Sequence, residues 1–543
     1  MTTTAHLDSR LAPSPKRVPR LPGALPLFGH LLELRRRPIE LMQRVRDECG
    51  EIGEIRVGRH PLVLLFGEEA HEEFFRAPEE QLDQAAAYPF MKPIFGAGVV
   101  FDSMNAEQRR QAMKNQALRD QFMRGHAEVI ACETERMIEG WGEAGEIDLL
   151  DFFAELTIYT SSSCLIGKEF RDELGPEYVG LFHELERGTD WLAYVNPYLP
   201  IRSFRTRDRA RRRLVERMQA IIDGRKRENR QTRDLVSVLM TLENADGSPR
   251  YTADHIAGMF ISLMFAGHHT TSGTAAWTLI EILRNPGLMT TVVDELDALY
   301  ADGREVSYQA LREIPELECA LKEALRLHPP LIMLSRIVKQ EFRYKGWAVE
   351  PGKTLAASPA ISNRMPEHFE RPEVFDPGRY KRDPAADRRV FAWIPFGAGR
   401  HRCVGAAFAF IQLKAIFSVL LRRYRFELAQ PADSYRNDVS KMVIQLEQPC
   451  RVRYRRRAAQ ERAAGATQVH LSTAAAGGRR IEVDRELCQG HGVCVSEAPE
   501  LFEIDPEQLK VRLRRIDVPD ELSTKAAKAV RYCPTAALKL TEE

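Results

Sequence analysis

Three groups of residues have the types and the spacing to do chemistry. Cys403 stands in Phe396-Gly397-Ala398-Gly399-Arg400-His401-Arg402-Cys403-Val404-Gly405, a run of the form F-x-x-G-x-x-x-C-x-G. Its glycines let the backbone pass close to a flat group while one thiol projects. An apolar stretch from Ala406 to Leu421 follows and reads as a helix. The plain alternative is a cysteine buried as a small hydrophobe. Near the end of the chain Cys488, His491 and Cys494 are spaced C-x2-H-x2-C, and Cys533-Pro534 comes later. Four such ligands could close a zinc site, or the thiols could hold an iron–sulfur cluster. Between these groups lies Glu323 with Arg326, on an amphipathic stretch (Leu317 to Leu327) stopped by Pro329-Pro330. By spacing alone that is an i,i+3 pair worth a few tenths of a kcal/mol (~0.2–0.5).

The Cys403 run resembles the haem-binding loop of the cytochrome P450 superfamily, whose cysteine thiolate is the proximal iron ligand. A thiolate pushes electron density onto iron and favours O–O cleavage. Glu323 and Arg326 match the superfamily's E-x-x-R, in which the arginine is shared with a later arginine; here that partner is Arg379, in Pro372-Glu373-Val374-Phe375-Asp376-Pro377-Gly378-Arg379. The resemblance runs from about residue 20 to about residue 455. It implies haem b as cofactor and a mainly α fold with small β-sheets, the cytochrome P450 fold.

The elements that must position these groups fit a chain of 543 residues, long enough for one large domain and a small one. Apolar residues make up 44% and charged residues 29%, ordinary for a globular protein. A formal net charge of +1 gives no reason to expect nucleic acid or an anionic membrane as partner. Nine scattered cysteines are no secreted disulfide framework and point to a reducing compartment. No run of about 18 apolar residues is present, and Met1 to Gly23 is polar and then proline-rich, without the apolar core of a signal peptide. A soluble, cytoplasmic bacterial protein is expected, touching membranes only transiently to collect an apolar substrate.

Along the chain, 1–20 reads as a flexible lead, 21–457 as the haem domain, 458–478 as an Ala/Gly/Thr-rich linker and 479–543 as a second domain. Ile52 to Phe66 alternates apolar and polar residues around Gly53 and Gly58 and suits a hairpin. Helical patterns dominate from about Asn105 to Ile314. The arginine-rich run Arg205 to Arg230 is interrupted by acids and reads as a solvated helix face.

The tail resembles a small α+β bacterial-type ferredoxin, with His491 in place of the middle cysteine of C-x2-C-x2-C and with the distant C-P. Glycines 490 and 492 would let backbone N–H groups turn toward the sulfurs. Such ferredoxins hold a [3Fe–4S] cluster when the second cysteine is missing; a [4Fe–4S] cluster with His491 as fourth ligand is the alternative.

In the haem domain, Gly258 to Leu283 is expected to be the helix over the distal face. It contains Phe265-Ala266-Gly267-His268-His269-Thr270, and A-G-H-H-T resembles bacterial sterol 14α-demethylases, where His269 stands at the usual acid's place. Tyr88 to Phe101, Trp141-Gly142 through Gly167, and Ala360-Ile361-Ser362-Asn363-Arg364 agree with that family. Its fusion to a ferredoxin resembles the arrangement in methane-oxidising, sterol-producing bacteria. The resemblance implies that Thr270 feeds protons to dioxygen with His269 as relay, the plain alternative for His269 being a packed helix histidine held by a neighbouring acid. It implies that Tyr88, Arg110, Arg336 and His401 hold the haem propionates, with Phe396 and Gly397 in the haem loop. The family usually has lysine at the Arg110 place. Phe90, Met91, Phe95, Phe265, Ala266, Leu331 and Met333, with Tyr88, would line the sterol pocket; by periodicity alone they are core. The implied reaction is removal of the 14α-methyl group of a lanosterol-type sterol in three oxygenations, with another triterpenoid or steroid as the alternative substrate. No G-x-G-x-x-G occurs, so an external NAD(P)H-dependent flavoprotein ferredoxin reductase is the expected partner. A gas sensor would not need Thr270, and a peroxygenase would not need an attached electron donor.

Overall fold

The computed structural model describes residues 16–97, 120–167, 177–186, 196–229, 235–244, 246–458, 479–505, 508 and 510–542. Arg110, residues 1–15 of the lead, residues 98–101 of the signature loop and 459–478 of the linker lie outside the described residues. The chain divides into two compact units, Met1–Ala87 with Ser335–Ser358, and Tyr88–Leu334 with Pro359–Glu543.

The first unit is built on a five-stranded sheet in the order Ile52–Val57, His60–Leu65, Thr354–Ala357, Leu334–Val338, Leu82–Asp83. The expected hairpin forms, with Ile52 opposite Leu65 and Val57 opposite His60. Gly58, at φ +61°, makes the turn that a side chain would strain. Val63, Leu64 and Leu65 are buried, so this strand is covered on both faces.

The second unit is mostly helical. Four helices matter for function: α1 (Leu149–Leu165), α2 (Ala253–Arg284), α3 (Pro315–Leu327) and α4 (Ala406–Arg423). Asp148 caps α1 by accepting from the N–H groups of Leu150 and Asp151. The long helix α2 is apolar nearly all round because it runs through the core, packed on α1, α3 and α4. It begins five residues before the expected Gly258. Thr252 accepts from the His255 N–H at 3.2 Å while His255 Nδ1 accepts from the Thr252 N–H at 3.4 Å, a reciprocal cap written T-x-x-H rather than the usual T-x-x-E. Helix α3 starts with Pro315 at its first position and stops before Pro329 as expected.

The arginine-rich run forms the helix Arg202–Glu228. Its face is not wholly solvated, which corrects that reading at two positions. Arg207 is buried, donating to the Pro197 carbonyl at 2.9 Å and lying over the Phe204 ring. Arg225 is buried too and donates to Ser237 Oγ at 3.1 Å.

The tail has its own apolar core, including Ile481, Leu501, Phe502, Ala529 and Leu538. Strand Arg479–Val483 pairs antiparallel with Leu538–Glu542 on one side and Asp517–Val518 on the other, and helix Ser523–Arg531 packs on Leu538–Glu542. Among the described residues, no helix is long and apolar enough to cross a membrane.

Candidate functional site

The Cys403 loop is shaped by its glycines. Gly397 and Gly399 hold φ of +65° and +62°, so the chain doubles back. The Cys403 N–H then donates to the Phe396 carbonyl at 2.9 Å and closes the loop. Phe396 packs against Phe410 of α4 and against Trp393, with ring centroids 5.8 and 6.1 Å away. Cys403 is surrounded by protein yet its side chain is exposed, unlike the buried Cys164, Cys319 and Cys450. It therefore sits in a recess rather than in core. Burial pushes the thiol pKa up, and the N–H groups of Gly405 and Ala406, opening α4, pull against that rise. A thiolate at a helix N-terminus is a suitable ligand for a haem iron, and the residues present fit that group.

Behind the loop lies a buried ion cluster. Arg326 uses all five guanidinium donors: two on the Glu323 carboxylate at 2.9 and 2.8 Å, and three on the carbonyls of Asn363, Pro372 and Val374 at 3.1, 2.6 and 3.1 Å. Arg379 Nε reaches the same carboxylate at 3.0 and 3.1 Å. The shared member is thus Glu323, not Arg326, correcting the expectation that the arginine would be shared. One carboxylate can accept from two guanidiniums, whereas two guanidiniums repel. Asn363 carries the brace onward, since its Oδ1 accepts from the Ile394 N–H at 3.0 Å just before the Cys403 loop.

On α2, Ala266 is exposed in the middle of a buried helix, and Gly267, His269 and Thr270 beside it are half-buried. Thr270 Oγ1 donates to the Ala266 carbonyl at 2.6 Å, so its hydroxyl lies at the open stretch. His269 keeps its ring partly exposed while its carbonyl accepts from Gln445 and Ser272 at 3.1 and 3.3 Å. The fully packed histidine is its neighbour His268, with Thr157 Oγ1 3.2 Å from Nδ1. Phe95 meets Phe265 edge-to-face at 5.8 Å, and Tyr88 meets Phe90 at 6.1 Å. Phe90, Met91, Phe95 and Phe265 belong to the main core, whereas Tyr88, Leu331 and Met333 are half-buried. His401 lies in the turn Gly399–His401. Arg336 belongs to the sheet of the first unit, buried against the rings of Phe74 and Phe75 and donating to the Phe74 carbonyl at 2.6 Å.

In the tail, Cys488, His491, Cys494 and Cys533 line one cavity. Gly490 and Gly492 hold φ of +72° and +84°. The N–H groups of Val511, at 3.4 Å, and Gly490 are directed at the Cys488 sulfur. Burial, then the nearby Cys533 and Cys488 charges, push the Cys494 thiol up to about 12. Three thiolates this close need a strongly cationic group among them. Among the described residues no three His, Cys, Asp or Glu side chains converge on a single-ion point. Thiols lining one cavity, with N–H groups directed at a sulfur, fit an iron–sulfur cluster.

Residues that the motifs gave no reason to single out join these two loops. Gln489 Nε2 donates to the Arg402 carbonyl at 2.9 Å. Arg312 pairs with Glu497 and lies over the Tyr532 ring at 3.6 Å. Gln489 and Arg402 occupy variable positions inside their motifs, so spacing carried no signal for them.

Residues 19–453 match the cytochrome P450 family, and residues 481–540 match the 4Fe-4S single cluster domain. The sterol 14alpha-demethylase of Mycobacterium tuberculosis is 59% identical over 444 residues, covering 81% of this chain and 98% of that protein. Its counterpart from Mycolicibacterium vanbaalenii is 57% identical over 446 residues, with the same coverage. The retinoic acid-bound structure of cyanobacterial CYP120A1 shares the fold, with a TM-score of 0.71 at 20% identity over 82% of this chain and 100% of that one. The chain belongs to the cytochrome P450 family and, within it, to the sterol 14α-demethylases, with an iron–sulfur domain at its C-terminal end. Haem and an iron–sulfur cluster are its cofactors.

Proposed function

We propose that this protein removes the 14α-methyl group of lanosterol-type sterols in three successive oxygenations, with electrons supplied through its own ferredoxin tail. The observation that carries the reading is the 59% identity to a sterol 14alpha-demethylase along nearly the whole haem domain. The exposed, N–H-flanked Cys403 thiol supports it. Across the three cycles the methyl becomes alcohol, then aldehyde, and leaves as formate with a new ring double bond. Each cycle takes one dioxygen and two electrons, brought from NAD(P)H by an external flavoprotein ferredoxin reductase.

Haem held by Cys403 supplies dioxygen activation. The chain's own residues govern substrate and protons. Tyr88, Phe90, Met91, Phe95, Phe265, Ala266, Leu331 and Met333 form the apolar wall against which a rigid sterol is held. Tyr88, Arg110, Arg336 and His401 would hold the propionates, the two arginines being cations suited to carboxylates. Thr270 Oγ1, its proton shared with the Ala266 carbonyl, passes protons at the open stretch of α2, and the half-exposed His269 ring replenishes them. In the tail, Cys488, Cys494 and Cys533 hold a [3Fe–4S] cluster, with His491 beside it.

The test is mass spectrometry of products after incubation with lanosterol, NADPH and a flavoprotein reductase. The expected result is the 14-desmethyl sterol with formate; oxygenation of a different steroid in preference would overturn the substrate assignment. In the same assay Thr270→Ala lowers product formed per NADPH and raises peroxide. Unchanged coupling would make Thr270 a packing residue.

A further inference from the structure

We propose that the tail docks on the face of the haem domain that carries Cys403, and that Gln489, Arg312 and Arg402 form the contact through which the haem is reduced. The inference rests on the cofactor assignment above. It goes further by naming which residues bring the two centres together.

Each thiolate ligand of the tail has a neighbour that touches the haem domain. Beside Cys488, Gln489 donates to the Arg402 carbonyl at 2.9 Å. Beside Cys533, the ring of Tyr532 is covered by the Arg312 guanidinium at 3.6 Å. Glu497 ends the short helix Val493–Glu497, which contains Cys494, and pairs with the same Arg312. Val390 of the haem domain packs against the apolar core of the tail. Contacts are thus spread over all three arms of the cluster cradle rather than gathered at one edge.

The Arg312–Glu497 pair is no rim contact, since its side chains are only 13% and 12% exposed. Arg312 lies in the turn Ala310–Arg312, and Lys414 Nζ of α4 donates to the Leu311 carbonyl in that turn at 2.9 Å. The clamp is therefore anchored to the helix that directly follows the Cys403 loop.

Between the sulfurs of Cys488 and Cys403 there is a continuous covalent path broken only once. It runs along Cys488 to the Gln489 amide, crosses the hydrogen bond to the Arg402 carbonyl, and continues through the next peptide to Cys403. Electrons pass far better through bonds and hydrogen bonds than through gaps. Arg402, whose carbonyl takes this bond, is buried between the two loops' backbones rather than exposed at a rim. In the step itself the cluster gives up one electron and the ferric haem takes it, with the flavoprotein, or dithionite in its place, refilling the cluster.

The experiment uses the full-length holoprotein with Arg312→Glu, Gln489→Glu and the double exchange Arg312→Glu with Glu497→Arg. Two quantities are read: the radius of gyration from small-angle X-ray scattering, and the rate of haem reduction under carbon monoxide after the cluster is photoreduced, with no sterol or dioxygen present. Arg312→Glu should enlarge the particle and slow reduction by about tenfold or more, because the step returns to chance encounter across the linker. Gln489→Glu should slow reduction several-fold with little change in size, and the double exchange should recover part of both. An unchanged radius and rate in Arg312→Glu would overturn the proposal, as would a slowed rate that the exchange leaves uncorrected. If the wild-type protein shows no haem-thiolate band or no cluster signal, the cofactor reading fails instead, and that is seen before any variant is made.

Discussion

The two cysteine loops of this chain solve the same local problem with different backing. Both use left-handed glycines, Gly397 and Gly399 in one and Gly490 and Gly492 in the other, to turn N–H groups and leave thiols projecting. Behind Cys403, however, stands a buried ion cluster in which Glu323, Arg326 and Arg379 satisfy one another and Asn363 hands the restraint to Ile394. Behind Cys488, Cys494 and Cys533 stand a small apolar core, two- and three-stranded sheets and, among the described residues, the buried Asp505 carboxylate paired with the exposed Arg512 at 2.8 Å. A large domain can hold a ligand loop in shape before its cofactor arrives. A small one buries too little surface for that and leans on the metal centre for its own stability.

Breaking the first loop at its ligand has the largest effect. Cys403→Ser is expected to abolish the red-shifted Soret band of the reduced carbonyl complex and all oxygenation, while the tail's cluster spectrum stays intact. Cys132→Ser, at the other exposed haem-domain cysteine, is the control and keeps the band. A band retained in the Cys403 variant would remove the haem assignment.

The brace is next. Glu323→Gln leaves two buried guanidiniums facing an uncharged amide, a change that costs about 3–5 kcal/mol when one partner of a buried pair is lost. Denaturant unfolding followed through the haem band should show a loss of that size, with the tail unaffected. A loss below about 1 kcal/mol, the range of an exposed pair, would mean the cluster is not what holds the loop.

Withdrawing the metal reverses the asymmetry. Chelation of iron from the tail should raise hydrogen exchange across residues 479–543, because the metal–sulfur bonds that tie Cys488, Cys494 and Cys533 together are then lost. Exchange in α2 and α4 should stay as it was. Equal protection of the tail with and without cluster would show that its apolar core suffices alone.

What could be read before the fold was known follows the same division. The Cys403 run, Glu323 with Arg326, and the three tail cysteines are legible because each is a short pattern whose chemistry needs those residue types at that spacing. The expected start of α2 was five residues late because the Thr252–His255 cap does not use the usual glutamate. Sharing of Glu323 rather than Arg326 depends on where Arg379 folds back, which spacing does not carry. Arg312, Arg402 and Gln489 were invisible because their partners lie on the other domain; the Gln489–Arg402 bond spans 87 positions of sequence. The apolar residues Phe90, Met91, Phe95 and Phe265 are core by burial, as periodicity alone suggested, so their contact with sterol rests on family likeness.

The smallest expected change is also the most diagnostic of the second loop. Cys488, Cys494 and Cys533 give three thiolates, so three irons can each take one and the fourth corner of a cubane has none. His491 stands where the missing cysteine would be and lines the same cavity. His491→Cys restores C-x2-C-x2-C and should capture a fourth iron, with little effect on the haem domain or on sterol binding. A three-iron cluster is paramagnetic when oxidised, whereas an ordinary four-iron ferredoxin cluster is silent oxidised and paramagnetic reduced. The substitution should therefore exchange the redox state that gives the electron spin resonance signal. It should also shift the potential, since cluster type and net charge both set it. Anaerobically purified wild-type protein with four irons per cluster and a nitrogen ligand from His491 would settle the matter the other way, making His491 a ligand rather than a bystander.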